Sequence, residues 1–210
     1  KKNKKYKKKK NKNKKKKKNK IFVISVIDHW INYKKRFFRN NKNFFPDELW
    51  VTDNYAYKIA KNKFNLPIKK IKNYYFSESL QKVTSSKKKE RDQILYLNTA
   101  IKNKSLEKKR IKYFLNKIDH LRKDYIIKIK PHPNDTTQKF YWIKKNHKNI
   151  VVDFKNNLED LLKESKIIVG CNSMAMVIAK RLNKKVYNGL LPNEKKISLP
   201  IKIKTINEIV

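Results

Sequence analysis

A histidine enclosed by two prolines is the first residue whose setting suggests chemistry. The run Lys130-Pro-His-Pro133 comes at the end of a β-branched stretch that begins at Tyr125. Proline fixes its own φ angle and disfavours helix in the residue before it, so we expect His132 to stand rigidly at a strand end. An imidazole held in this way can donate to a phosphate oxygen, with Lys130 as a nearby point charge. The alternative is that His132 only shapes a turn.

A second run, Gly170-Cys-Asn-Ser173, lies between an apolar strand pattern and a helical pattern that starts at Met174. Its amides and the Ser173 hydroxyl are predicted to lie at a helix N-terminus, where unpaired N–H groups and the helix dipole favour an anion. We therefore predict that Lys130, His132, Asn172 and Ser173 bind the phosphates of a nucleotide. The alternative for Asn172 and Ser173 is a plain helix cap.

A third run, Asp28-His-Trp-Ile-Asn-Tyr33, follows the apolar stretch Ile21 to Ile27. An acid and an imidazole directly after a strand can supply a general base, so Asp28 and His29 are the candidate catalytic residues, with Asp28 preferred. Trp30 and Tyr33 offer rings on which an acceptor or a sugar could stack. Core packing explains the same two rings equally well.

The elements that must position these runs alternate between strand and helix patterns, which is typical of repeated βα units. In open parallel sheets, ligands bind at the carboxyl ends of the strands, where all three runs fall. The fold class predicted is α/β, a Rossmann-like doubly wound parallel sheet. The predicted strands are 21–27, 48–52, 93–97, 125–130, 150–153, 166–170 and 185–187, and the predicted helices are 53–64, 105–122, 136–147, 158–165 and 174–182.

Changes in composition along the chain predict its domain organisation. Residues 1–20 hold fifteen lysines and no acid, which predicts a disordered tract. We assign residues 21–76 to a first Rossmann-like lobe. Residues 77–92 lose the apolar pattern and are predicted to be a linker, and residues 93–210 form the second, nucleotide-binding lobe.

The overall composition excludes several classes of protein. One cysteine in 210 residues rules out an internal disulfide framework and a multi-cysteine zinc site. The four histidines show no spacing typical of metal ligands, so we expect neither a metal nor another cofactor. Ile21 to Ile27 follows lysines as in a signal peptide, but the run is short and lacks a cleavage site, and no apolar run could cross a bilayer. We expect a cytoplasmic protein.

The net charge of +40 suggests a different class, a basic nucleic-acid-binding protein. Heavy use of Lys, Asn, Ile and Tyr is also what an A/T-rich coding sequence produces, and the lysines form no single stripe. We keep this reading as the alternative, with nonspecific nucleic acid attracted by the lysine tract as a partner. The same tract could hold the protein at the anionic inner face of a membrane.

The runs described above resemble a known group of enzymes. Lys130-Pro-His-Pro133 and Asn172-Ser173 are similar to the HP and Ser/Thr motifs of bacterial sialyltransferases, polysialyltransferases and CDP-glycerol glycerophosphotransferases. Ile27-Asp-His-Trp30 and Pro46-Asp-Glu-Leu-Trp-Val51 look like the end of the first lobe of two-lobed (GT-B) surface-polysaccharide glycosyltransferases. The resemblance covers roughly residues 21–200, with one hydroxyl at Ser173 where the families carry a pair.

That resemblance implies a transferase that moves a sugar from a CMP- or CDP-activated donor, or from another nucleotide sugar, to a glycan acceptor. It implies that His132 and Ser173 hold the donor and that Asp28 deprotonates the acceptor. Only about sixty residues precede the linker once the lysine tract is set aside. We therefore expect the first lobe to be truncated and catalysis by this chain alone to be weak or absent.

Overall fold

The structure is a computed structural model that describes residues 21–99, 101, 103–194 and 199–209. The lysine tract, predicted to be disordered, lies outside the described residues. The chain divides into two compact units, the first ending at Lys72 and the second beginning at Asn73. Across the described ranges, no helix is long and apolar enough to span a membrane.

The elements of the first unit are β1 (Ile24–Ile27), α1 (Tyr33–Arg36), β2 (Phe38–Arg39), β3 (Lys42–Asn43), β4 (Glu48–Val51), α2 (Asn54–Lys61) and β5 (Ile68–Lys70). They form a three-stranded parallel sheet in the order β1-β4-β5 and a two-stranded hairpin, β2-β3. Helix α2 begins after Asp53, whose carboxylate accepts a hydrogen bond from the Ala56 amide at 2.7 Å.

The first strand is shorter than the predicted range 21–27. The strand begins at Ile24, and in β1 only Ile27 is buried, while Ile24 and Val26 are exposed. The exposure of Ile24 and Val26 follows from the strand's place at the edge of the sheet, where among the described residues it pairs with β4 alone. An apolar run of this length indicates a strand but does not show how many layers cover it.

The second unit alternates helices with the strands of one six-stranded sheet. Its elements are α3 (Tyr74–Ser85), β6 (Arg91–Leu97), α4 (Lys104–Lys117), β7 (Ile126–Lys130), α5 (Tyr141–Asn146), β8 (Ile150–Val152), α6 (Leu158–Glu164), β9 (Ser165–Gly170), α7 (Met174–Arg181), β10 (Lys185–Asn188) and β11 (Lys204–Thr205), with short 3₁₀ turns at Asp119–Leu121, Thr137–Phe140 and Ile206–Glu208.

The six strands lie in the order β8-β7-β6-β9-β10-β11, and every neighbouring pair is parallel. Numbered from β6, this is the order 3-2-1-4-5-6 of a doubly wound Rossmann sheet. Ile94 and Tyr96 pack into one apolar cluster, and Leu95 and Leu97 pack into a second. Because alternate residues of a strand point to opposite faces, apolar residues bury both faces of the sheet. The predicted α/β, Rossmann-like class is confirmed.

The segment predicted as a linker is largely helical. Residues 77–85 belong to α3, which Asn73 caps by accepting a hydrogen bond from the Phe76 amide at 2.9 Å. Phe76, Leu80 and Val83 pack into the second apolar cluster. Their i, i+4, i+7 spacing is that of an amphipathic helix, but serines and charged residues between them obscure the pattern in the sequence.

Candidate functional site

The order of the strands reverses between β6 and β9, which places a crevice at their carboxyl ends. Leu97 and Gly170, the last residues of these strands, are register partners. The loops that start at Asn98 and Cys171 therefore begin side by side, and the Thr99 hydroxyl donates a hydrogen bond of 3.3 Å to the Cys171 carbonyl across the gap.

The loop from Cys171 to Ser173 is compact and largely buried. Asn172 has a positive φ of 62°, a left-handed conformation that asparagine tolerates better than most residues. A side chain at Gly170 would put its Cβ 2.9 Å from the Met176 sulfur, so the glycine allows α7 to approach the strand end closely. Helix α7 consequently starts at the crevice.

Ser173 is the N-cap residue of α7, but its side chain makes no capping hydrogen bond. Its Oγ is buried and has no hydrogen-bond partner within the part of the chain that the structure describes. A buried hydroxyl without a partner is costly, and such groups in native proteins call for an explanation. The structure therefore puts a free hydroxyl beside the first amides of α7.

Cys171 is not a candidate nucleophile. Its thiol is buried, 3.7 Å from the Tyr96 hydroxyl. Burial raises the pKa of Cys171 to about 11, so the thiol stays protonated at neutral pH. The cysteine contributes packing beneath the crevice.

The proline-flanked turn follows β7, the strand next to β6 on the other side. His132 is half-buried, and its Nδ1 accepts a hydrogen bond of 3.2 Å from the Asn134 amide. In the neutral ring the proton therefore lies on Nε2, which leaves that nitrogen as a donor. Two strand spacings of about 4.8 Å put the ends of β7 and β9 about 10 Å apart, with the end of β6 between them.

Lys130, predicted to bind phosphate, contacts the neighbouring loop. Its Nζ donates a hydrogen bond of 2.6 Å to the Asn156 carbonyl, beyond the end of β8. In this structure Lys130 ties the ends of β7 and β8 together. A phosphate role for Lys130 stays a prediction that would require its ammonium group to leave this carbonyl.

Two polar residues of this region, Asn98 and Asp135, were not predicted from the sequence. Asp135 Oδ2 accepts hydrogen bonds from the His132 amide at 2.8 Å and from Asn98 Nδ2 at 2.7 Å. The only signal in the sequence was the spacing of Asp135, three residues after His132, which is typical of a side chain that closes its own turn. Nothing local pointed to Asn98, since its partner lies 37 residues away.

Asp135 is held in its ionised form. Burial by itself raises the pKa of this carboxyl, but hydrogen bonds from Lys139, Asn98 and the His132 amide outweigh it, so the pKa is lowered from its ordinary value. An ionised carboxylate accepts stronger hydrogen bonds than a neutral one. The His132 turn is therefore closed by charge-assisted bonds.

An arginine and a glutamate pair between α4 and the loop after β10. Arg110 Nε lies 2.9 Å from Glu194 Oε2, and the guanidinium also contacts Oε1, so the pair is bidentate. Both side chains are mostly buried, and Glu194 Oε2 accepts the Leu191 amide at 3.0 Å as well. The pair fixes the start of the loop that follows β10.

The predicted catalytic residues lie in the first unit. Asp28 is exposed and His29 is half-buried. Burial lowers the pKa of His29, and Asp28 opposes this by favouring the charged ring. His29 Nδ1 accepts the Trp30 amide at 2.8 Å, so the neutral ring carries its proton on Nε2.

Trp30 and Tyr33, predicted to stack on a sugar, are buried in this structure. Trp30 Nε1 donates a hydrogen bond of 2.7 Å to Asp53, and the Tyr33 ring stacks on Phe64. Their contacts are those of core packing, the alternative that the sequence left open. A stacking role stays a prediction that would require either ring to become exposed.

No group of three or more potential metal-ligating side chains occurs among the described residues. Comparisons of the chain with protein-family models, with curated proteins and with solved structures found no match.

Proposed function

We propose that the chain is a glycosyltransferase-like protein of surface-polysaccharide biosynthesis, and that its second unit binds the nucleotide of an activated sugar donor. The observation that carries the proposal is the buried Ser173 hydroxyl at the start of α7, which has no hydrogen-bond partner among the described residues and lies beside the reversal of strand order. Nucleotides bind at this position in doubly wound sheets. The motif resemblance around His132 and Ser173 points to a cytidine nucleotide.

Each residue has a role in this proposal. The first amides of α7 and the Ser173 hydroxyl donate to the phosphate next to the ribose. His132 donates from Nε2 to a phosphate oxygen, because its Nδ1 already accepts the Asn134 amide. These groups are hydrogen-bond donors, so they suit a phosphate better than a positively charged ligand.

The transfer step forms a bond between an acceptor hydroxyl oxygen and the anomeric carbon of the sugar. The bond from that carbon to the phosphate oxygen breaks, and the nucleotide leaves with the electron pair. The acceptor proton goes to a general base, for which we propose Asp28, with His29 beside it as the second candidate. Burial lowers the pKa of His29, and its Nδ1 already accepts the Trp30 amide, so Asp28 is the preferred base.

The experiment is thermal stabilisation of the 210-residue chain by CMP, CDP, UDP and GDP. It is run at about 0.5 M salt, where screening suppresses attraction that rests on net charge alone. Binding at 100 times Kd stabilises a folded protein by about 2.7 kcal/mol, which is a readily measured shift in Tm. We expect one nucleotide, CMP or CDP, to stabilise the chain selectively, and no response to any of the four would overturn the proposal.

The net charge of +40 favours the second candidate, a protein that binds nucleic acid. Binding through phosphate contacts with lysine falls steeply as salt rises, because counterions are released. Measurement of affinity for a single-stranded oligonucleotide between about 0.05 and 0.5 M salt separates the two candidates. Affinity that is lost over this range rests on nonspecific attraction by the lysines. Affinity for the oligonucleotide that persists at high salt, together with no response to nucleotides, would favour the nucleic-acid-binding candidate.

A further inference from the structure

A buried group of polar and charged side chains lies under the His132 turn. It comprises Asn98 at the end of β6, Glu107 in α4, and Asp135 and Lys139 after β7. The side chains of Glu107 and Asp135 are 2% and 3% exposed. Glu107 is the only acid in α4, a helix otherwise rich in lysine.

The contacts join three separate segments of the chain. Asn98 Nδ2 donates to carboxylate oxygens of both Glu107 and Asp135. Lys139 lies between the same two carboxylates, with its Nζ 2.5 Å from an oxygen of each. Because both partners of the amide are acceptors, Asn98 must turn its NH₂ group toward them, which fixes its orientation.

Stability alone is a poor explanation for this group. Two carboxylates and an ammonium group lose hydration on burial, and the attraction between them only partly offsets that loss. A well-packed apolar group of similar volume is often at least as stable. The hydrogen bonds of the group instead fix the relative positions of the segments that they join, because each bond requires a defined geometry.

Asp135, in this group, contacts the backbone of His132, the residue predicted to bind phosphate. Asp135 Oδ2 accepts from both the His132 amide and Asn98, so one oxygen joins the turn to the end of β6. The Asp135 amide also donates to the His132 carbonyl at 2.8 Å, which closes the turn. The position of the His132 ring relative to the crevice therefore depends on Asp135.

A second aspartate provides a comparison within the same sheet. Asp153 follows β8, is also buried, and closes its turn by accepting the amides of Lys155 and Asn156 at 3.1 and 2.9 Å. It pairs with Lys128 at 3.8 Å. Strand β8 lies at the edge of the sheet, so Asp153 has the same kind of contacts as Asp135 but lies two strands from β6.

We propose that Asp135 is a positioning residue for nucleotide binding, which fixes the His132 turn against the end of β6 so that the imidazole is oriented before the ligand arrives. Glu107 and Lys139 support it by balancing charge and by holding Asn98. Preorganisation of this kind strengthens binding because the ligand does not have to order the turn. The inference rests on the proposed function.

The test compares Asp135→Ala and Asp135→Asn with Asp153→Ala in the full chain. The probe is whichever of CMP, CDP, UDP and GDP stabilises the unaltered protein most, and its Kd is measured by calorimetry at about 0.5 M salt. Hydrogen exchange of the His132 amide is followed in the same proteins. Asp135→Asn keeps an oxygen that can accept from His132 and serves as the conservative variant, which also guards against misfolding of the alanine variant.

We expect Asp135→Ala to weaken nucleotide binding about tenfold, because the ligand would then have to order the His132 turn. Asp135→Asn should lose less nucleotide affinity than Asp135→Ala. Asp153→Ala should leave the Kd unchanged although its Tm falls. Exchange of the His132 amide should speed up in Asp135→Ala only. These results together would support a positioning role, since a purely structural role would affect the two aspartates alike.

Two other outcomes would overturn the inference in different ways. If the unaltered chain binds a nucleotide but Asp135→Ala and Asp153→Ala have equal Kd values, Asp135 is structural and the proposed function still stands. If the unaltered chain binds none of the four nucleotides, the proposed function and the inference both fail.

Discussion

The Thr99 hydroxyl donates a hydrogen bond of 3.3 Å to the carbonyl of Cys171, 72 residues away in the chain. This bond joins the loops after β6 and β9, the two strands between which the order of the sheet reverses. It holds together the two sides of the crevice that we propose for a nucleotide.

Replacement of Thr99 by valine keeps the shape of the side chain and removes this bond. We expect Thr99→Val to lower the free energy of unfolding by about 1 kcal/mol, measured by urea denaturation. Thr84→Val is the control, because Thr84 is exposed and its hydroxyl donates to carbonyls of its own helix at 2.9 and 3.1 Å. Equal losses of unfolding free energy in the two variants would mean that the bond across the crevice contributes no more to stability than the bonds of Thr84 within its helix.

Ser173→Ala separates a binding role for Ser173 from a capping role. Loss of a true capping side chain costs about 1 kcal/mol, but the Ser173 side chain makes no capping bond, so we expect no loss of stability. The matched control is Asn157→Ala, since Asn157 caps α6 by accepting the Asp160 amide at 2.7 Å. Nucleotide affinity should fall in Ser173→Ala and stay constant in Asn157→Ala. A loss of stability in Ser173→Ala as large as that in Asn157→Ala would return Ser173 to the role of a cap.

His132→Ala should raise the Kd for the selected nucleotide with little change in Tm, because the turn is closed by Asp135 and by backbone bonds that do not need the ring. A hydrogen bond to a charged phosphate contributes about 1.5–3 kcal/mol, so the expected loss is about tenfold or more. His147→Ala is the control, since His147 follows α5 and contacts Trp142. An unchanged Kd in His132→Ala would assign His132 to the turn alone.

Stability should depend on pH through Asp135. The pKa of its carboxyl is lower in the folded protein than in the unfolded chain, so its contribution is fully present above the unfolded pKa and is lost as pH falls through the folded pKa. The difference in unfolding free energy between the unaltered chain and Asp135→Asn should therefore shrink on acidification below about pH 4. Glu78→Gln is the control, because the Glu78–Lys82 pair is exposed and should make little difference at any pH. A difference for Asp135→Asn that is constant from pH 7 to pH 3 would contradict this.

Gly170→Ala tests the close approach of α7 to the strand end. The added Cβ would lie 2.9 Å from the Met176 sulfur, and we expect a destabilisation of about 1–3 kcal/mol from the forced shift. Gly189→Ala is the milder comparison in the neighbouring loop, where the nearest atom would be 3.1 Å away, and it should cost less. A double-mutant cycle of Gly170→Ala with Met176→Ala should show coupling, and strict additivity would mean that the two residues do not oppose each other.

The parts of the structure that depend on local pattern could be predicted from the sequence. The strand ending at Lys130, the strand ending at Gly170 and the helix starting at Met174 all have apolar spacing that identifies them, and the structure confirms these bounds. The Rossmann-like class follows from the alternation of such elements. The unusual loops could be located for the same reason, since each follows directly after a strand.

The contacts that organise the candidate site could not be predicted in this way. Asn98 and Asp135 are 37 residues apart, and Thr99 and Cys171 are 72 apart, so only the order of the strands brings them together. The position of the Trp30 side chain could not be predicted for a different reason. An aromatic ring after a strand is compatible both with exposure in a crevice and with burial in a core. Its bond to Asp53 decides for packing in this structure, and Asp53 lies 23 residues further on.

Because Cys171 is buried, the reactivity of its thiol reports how often the loop around it opens. It is the only thiol among 210 residues, and with a pKa of about 11 it should not react with an alkylating reagent while the loop around it is closed. The rate of alkylation at neutral pH then measures how often the loop from Cys171 to Ser173 opens, with no label or second cysteine to correct for. A ligand that occupies the crevice would slow that reaction in proportion to its occupancy.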